Sequence, residues 1–148
     1  MRRERGVTLI ELTMILGVLA TGIGLAAPVL GSLVPTLRLH GAAADIYAAI
    51  HLTRARARAT GVMHALVIEP GGRALRVVED PTGAARTVAG PMALVAGVVA
   101  SGNTTIRFSP KGFAVPFGTI TVVSGDQVRY LIVNLLGRVR LADTPPGP

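Results

Sequence analysis

From Leu12 through Leu37 the chain carries no charged side chain, and the last charge before that run is a lone carboxylate, Glu11. This pattern constrains the fold more than anything downstream. Coiled into a helix, which advances about 1.5 Å per residue, the run is long enough to cover the hydrocarbon of a bilayer. Arg2, Arg3 and Arg5 precede it and the first charge after it is Arg38. The bias of basic residues predicts a cytoplasmic N terminus and a C-terminal body on the opposite side of the membrane. A secretory signal peptide has a shorter apolar core and a small-residue cleavage pattern. This run is longer, lacks a clear pattern of that kind and continues into another helical segment, so the helix is expected to be retained. Glu11 at its edge is costly without a partner, which points to an assembled state that the isolated chain does not contain. The alternative is that the carboxylate reaches the headgroup level or takes up a proton.

The remaining length bounds the soluble body. Of 148 residues, setting aside the first third or so for membrane work leaves about 90 for a soluble body, room for one modest core and too little for a large enzyme. The chain has no cysteine, which excludes a disulfide scaffold and thiolate chemistry but leaves the compartment open. Within the apolar run, Gly17, Gly22, Gly24 and Gly31 permit close helix contacts, while Pro28 and Pro35 lack a backbone donor. Local melting or a kink is expected at Pro28. Both residue types are also ordinary in membrane helices, so they do not establish assembly by themselves.

From Leu37 to about Thr60 the period is helical. Leu39, Ala43, Ile46, Ile50, Thr53 and Ala57 recur at spacings of three and four, placing one small-to-aliphatic stripe on a face suited to packing on a sheet. Arg54 and Arg58 share another face while Arg56 points elsewhere, with Gly61 as the stop; the three read as a solvated basic helix end that complements the dipole, the alternative being a contact for acidic partners. Short runs follow at Val62–Ile68, Ala74–Glu79, Met92–Val99, Thr104–Phe108, Thr119–Val123, Val128–Ile132 and Arg138–Leu141. Turn chemistry separates them: Pro70-Gly71-Gly72, Asp80-Pro81-Thr82-Gly83, Gly90-Pro91, Ser124-Gly125-Asp126 and Asn134-Leu135-Leu136-Gly137. The expected class is α+β, a long N-terminal helix carrying a small antiparallel β-rich domain.

The N terminus, Gly6-Val7-Thr8-Leu9-Ile10-Glu11-Leu12, resembles the processing and assembly signature of type IV prepilins and type II secretion pseudopilins. Ile106-Arg107-Phe108-Ser109-Pro110-Lys111-Gly112 and Leu136-Gly137-Arg138-Val139-Arg140-Leu141 resemble the branch that includes the H-type pseudopilins and the T-type fimbrial minor pilins. The resemblance covers nearly the whole chain. It implies a pilin-like fold, cleavage after Gly6 by prepilin peptidase on the cytoplasmic side, N-methylation of Val7 and a helix interruption at Pro28. Val7 stands where phenylalanine is commoner. The implied partners are other pilins or pseudopilins and an inner-membrane assembly platform, in a single-pass protein incorporated into a filament. The organisation is then a leader at 1–6, a membrane and filament-core helix at 7–36, an amphipathic continuation at 37–61, a β-rich domain at 62–142 and a tail at 143–148.

In that setting Glu11 acquires a physical role. Cleavage creates an amino group at Val7, and the carboxylate of one subunit can compensate the amine of its neighbour in an apolar filament centre, where an unpaired charge is costly. The expected function is a non-enzymatic minor pseudopilin that helps initiate or cap a type II secretion pseudopilus. The competing reading is a minor type IV pilus subunit that contacts DNA during uptake; a soluble exported enzyme is a third reading and requires the helix to be removed.

Enzyme chemistry finds little support. His40 and His51 lie about 16 Å apart along a continuous helix, so they form no local metal pair, and His64 reaches neither through the sequence. No lysine-containing phosphate loop accompanies Gly71-Gly72, and Ser109 and Ser124 lack a recognisable base. No catalytic residue, metal or cofactor is assigned. Charge gives DNA a stronger hearing. The chain is formally +7; without its leader of three arginines and one glutamate it is +5, which favours polyanions without specifying one. Arg138 and Arg140 share a face if their segment is a strand, with Lys111, Arg107 or Arg129 as candidate extensions of the patch. Gly137-Arg138-Val139-Arg140 resembles the Gly-Arg-x-Arg motif that some T-type minor pilins use in DNA uptake.

Overall fold

The computed structural model describes the backbone of residues 8–79, 85–102 and 105–145, and their side chains except at 26–30 and 32. The chain begins with a single helix, α1 (Leu9–Thr60). Thr8 caps its start: the Glu11 N–H donates to Thr8 Oγ1 at 3.3 Å and the Leu12 N–H to the Thr8 carbonyl at 3.1 Å. The first bond satisfies a donor that the opening turn of a helix leaves without a partner, and the second is the first rung of the helix's own ladder. Glu11 lies in that turn, where the helix dipole favours a carboxylate. At the other end Gly61 takes a φ of 70°, the left-handed conformation that lets the chain leave a helix. Between these ends α1 continues through Pro28 and Pro35 as one element.

The chain divides between Val34 and Pro35 into two compact units. In the first, the described apolar side chains are exposed on every face, among them Leu9, Ile10, Met14, Val18, Ile23 and Leu25. A helix that is apolar all round completes its burial in lipid or against other helices. Among the described residues no stretch of helix is both long and apolar enough to cross a membrane. The uncharged run passes through positions 26–30 and 32, whose side chains lie outside the description.

In the second unit α1 meets two four-stranded antiparallel sheets, where the sequence pattern marks strands without dividing them between sheets. Its strands are β1 (His64–Ile68), β2 (Ala74–Glu79), β3 (Arg86–Ala93), β4 (Val98–Gly102), β5 (Thr105–Phe108), β6 (Gly118–Ser124), β7 (Gln127–Val133) and β8 (Val139–Ala142). They are ordered β3-β2-β1-β5 and β4-β6-β7-β8. All six residues of the stripe read from the helical period are buried. Leu39, Ile46 and Ile50 join one core with Leu66, Leu75 and Phe108 of the first sheet and with Ile120, Val122 and Leu131 of the second. Alternation along β6 and β7 puts every second residue into that core.

The run Met92–Val99, expected as one strand, is divided. β3 ends at Ala93, a turn closes with the Val98 N–H on the Val95 carbonyl at 3.1 Å, and β4 begins. Gly90-Pro91 lies inside β3 rather than between strands. β3 is an edge strand, where proline's missing N–H removes no bond from the ladder. Gly90 approaches so closely that a Cβ there would stand 2.8 Å from the Leu75 carbonyl oxygen.

Backbone polarity in the second sheet follows from its tightest turn. Ser124 and Gln127 are paired across the two-residue loop Gly125-Asp126, and in such a hairpin that closing pair exchanges hydrogen bonds. Odd-numbered residues of β7 therefore bond β6 and even-numbered ones bond β8. The far end agrees: the Asn134 N–H donates to the Arg138 carbonyl at 3.1 Å, in register with the β7–β8 pairs Ile132 to Arg140 and Tyr130 to Ala142.

Candidate functional site

Two regions carry the residues singled out by sequence. The first is the start of α1. Gly6 and Val7 lie outside the described residues, and Glu11 is exposed one turn into the helix. Thr8, which the sequence reading passed over, supplies the N-cap, and the spacing Thr8-Leu9-Ile10-Glu11 is the signature that could have identified it. Pro28 is part of α1, and its side chain lies outside the description.

The second region is where the C-terminal turns of α1 meet two β-domain turns, and Arg54 organises it. Its Nε donates to the Gly112 carbonyl at 3.0 Å and its Nη2 to the Leu136 carbonyl at 2.9 Å. Arg56 likewise donates through Nη1 to the Val88 carbonyl of β3 at 3.1 Å. The solvated basic helix end expected from sequence is thus corrected: Arg54 and Arg56 are half-buried and satisfy carbonyls, while Arg58 remains exposed. A guanidinium suits this task because its planar fork presents several donors at once.

The two turns are shaped to accept that fork. In the first, the Gly112 N–H donates to the Ser109 carbonyl at 2.8 Å and the Phe113 N–H to Ser109 Oγ at 3.1 Å. In the second, the Gly137 N–H donates to the Asn134 carbonyl and the Arg138 N–H to Asn134 Oδ1, each at 2.9 Å. Gly112 and Gly137 hold φ values of 84° and 69°. A Cβ on Gly137 would stand 2.7 Å from the Gly112 carbonyl oxygen and 3.0 Å from Arg54 Nε, so the chains touch backbone to backbone. The two motifs quoted for the minor-pilin branch are therefore neighbours in space, joined by Arg54.

This arrangement places the candidate DNA contacts. Lys111 and Arg138 flank the touching glycines, and both are exposed. Arg138 precedes β8 and Arg140 lies within it; as alternate residues of an extended segment they share a face. Arg129 does not extend that patch: its Nε pairs with Asp143 Oδ1 at 3.1 Å, and in the alternation of β7 it lies on the face opposite that of Arg140's partner, Ile132. Arg107 belongs to β5, in the other sheet. Beside the two turns, Phe113, Val115, Phe117, Leu135 and Leu136 are exposed. The Ala114 N–H donates to the Leu135 carbonyl at 2.9 Å, which holds the two loops together.

The histidines occupy separate environments. His40 is exposed with Nδ1 2.8 Å from the Thr36 carbonyl, and His51 is exposed with its ring centroid 4.4 Å from that of Tyr47. His64 is buried in β1, its Nδ1 3.0 Å from the Val62 carbonyl.

Residues 42–137 match the model of a family described as type II transport protein GspH. Among solved structures, the chain is similar to the type IV minor pilin FimU of Pseudomonas aeruginosa strain PAO1, with 20% identity and a TM-score of 0.58 over 70% of this chain and 87% of that one. It is also similar to the minor pseudopilin EpsH from the type 2 secretion system of Vibrio cholerae, with 15% identity and a TM-score of 0.57 over 72% of this chain and 97% of that one. At these identities the likeness is one of fold: a long N-terminal helix followed by an antiparallel β domain. Comparison with curated proteins finds no match.

Proposed function

This chain belongs to the family of type II transport protein GspH and is a non-enzymatic subunit of the pseudopilin and minor-pilin kind, and we propose that it helps initiate or cap a type II secretion pseudopilus. The observation that carries this reading is the first unit of α1, whose described apolar side chains are exposed on every face and whose first turn holds the carboxylate of Glu11. Such a surface calls for lipid before assembly and for other helices after it. On this reading prepilin peptidase cuts after Gly6, Val7 becomes the N-methylated first residue, and an inner-membrane platform assembles the subunit with other pseudopilins. The protein is then held in the inner membrane by one pass, with its N terminus cytoplasmic and its β domain on the periplasmic side.

Glu11 supplies register. Its carboxylate compensates the Val7 amine of an adjoining subunit in a centre where neither charge is well solvated. The test separates this charge from the helix start. Glu11→Gln keeps a side chain suited to the third helical position beside the Thr8 cap, whereas Glu11→Ala removes it. Both variants are expected to insert in the membrane and to fail equally at incorporation into filaments. Incorporation of Glu11→Gln at the wild-type level rejects the charge-pairing role. Sequencing of the mature protein checks the cut, which must leave Val7 first.

A second reading, a type IV pilus subunit that contacts DNA, draws on the shared face of Arg138 and Arg140 and on Lys111 at the adjoining turn. Phosphate contacts of this kind would show a steep loss of affinity with salt.

A further inference from the structure

An unpaired strand edge exposes a row of backbone donors and acceptors, and folded proteins generally obstruct such edges. Among the described residues, three of the four sheet edges are obstructed. β3 carries Gly90-Pro91. β4 is met by the Gly72 carbonyl, which accepts from the Ala100 N–H at 2.7 Å. β5 is met by the following loop, through a bridge between Phe108 and Ala114 and a bond from the Val115 N–H to the Arg107 carbonyl at 2.8 Å. The fourth edge, β8, has no such cover among the described residues.

The bonding alternation along β7 fixes which backbone groups of β8 face outward. Arg140 and Ala142 bond β7, so the N–H and C=O groups of Val139 and Leu141 point away from the sheet. Arg138 and Arg140 stand exposed on one face of this edge, and neither guanidinium makes an ion pair among the described residues. On the other face Val139 is half-buried against the core and Leu141 is exposed.

We infer that β8 is a docking edge that takes an extended acidic segment of another protein as a ninth strand, its carboxylates beside Arg138 and Arg140 and its aliphatic side chains beside Val139 and Leu141. Charge selects this occupant. A second copy of β8 laid along the edge would bring arginines against arginines, and the net charge, +7 for the full chain and +5 without its leader, adds to the repulsion between copies. An acidic strand reverses that sign and also uses the outward amides, which a nucleic acid phosphate has no register to match. The inference goes beyond assembly through α1 and stands or falls without Glu11.

The test uses the full chain in detergent micelles and a synthetic peptide alternating glutamate and valine, with a lysine–valine peptide and a duplex DNA oligonucleotide as competing probes. The acidic peptide is expected to bind and to slow hydrogen exchange at the Val139 and Leu141 amides, while the basic one does not. Arg138→Glu with Arg140→Glu should exchange the preferences of the two peptides. Leu141→Pro removes an outward N–H without removing a β7–β8 bond, and should weaken acidic-peptide binding by about tenfold or more, the scale of a lost main-chain bond in strand addition. Should Leu141→Pro unfold the domain, as its melting would reveal, the exchange pattern and the charge-reversed pair decide. Unchanged exchange at Val139 and Leu141 in the presence of the peptide overturns the proposal. So does DNA binding that depends on the arginines but survives Leu141→Pro, with no binding of the acidic peptide.

Discussion

Replacing Arg54 by alanine removes two bonds at once, to the Gly112 and Leu136 carbonyls at 3.0 and 2.9 Å. Hydrogen bonds to charged groups contribute roughly 1.5–3 kcal/mol each when well enclosed, but Arg54 is only half-buried and the released carbonyls regain water, so about 2 kcal/mol in total is expected. For a domain of this size that corresponds to a fall in melting temperature of roughly 8 °C. Arg54→Lys should recover less than half of the loss, because one ammonium on a flexible stem does not reproduce the two directed donors of the fork. Arg58→Ala is the control: Arg58 is exposed on the same part of α1 and should shift stability by no more than about 0.5 kcal/mol. Thermal and urea unfolding of the full chain in micelles, followed by near-ultraviolet signals of the β domain, measures all three. Equal losses for Arg54→Ala and Arg58→Ala would refute the clasp and leave only general helix-end electrostatics.

Gly137→Ala should cost about 2–4 kcal/mol, since it combines a left-handed φ with a Cβ 2.7 Å from the Gly112 carbonyl oxygen. Its effect should not add to that of Arg54→Ala, because both act on the same pair of turns, and a double-mutant cycle in urea reads the difference. Phe108→Ala, at a wholly buried side chain in the shared core, should destabilise by about 3–5 kcal/mol in the same unfolding assay. Thr8→Ala should weaken the start of α1 by about 1 kcal/mol and raise hydrogen exchange at the Glu11 amide roughly fivefold, leaving the β-domain melt unchanged.

The parts of this fold that were legible in the sequence are those in which neighbours along the chain carry the signal. The stripe from Leu39 to Ala57 repeats with the helical period because one face of α1 lies in the core, and β6 and β7 alternate because one face of their sheet does. Ser124-Gly125-Asp126 was readable because a two-residue turn demands such residues. β3 was not readable: at an edge it buries little and so alternates weakly, and its Gly90-Pro91 is chemistry that elsewhere separates strands. That the strands form two sheets depends on pairings such as β1 with β5, which no local pattern encodes. Arg54 was hidden for a related reason. Its partners are backbone carbonyls, present at every position, and only the folded chain selects Gly112 and Leu136.

The Arg54 bonds span 58 and 82 residues of sequence, and that separation orders events during synthesis. The helix leaves the ribosome with its guanidinium unclaimed, and the second acceptor is made only after 82 further residues. Since long loops must close before such contacts reward them, the domain stays unlatched until the last turn has emerged. A chain built this way presents its leading helix first and acquires its finished shape only when the far turn comes back to meet it.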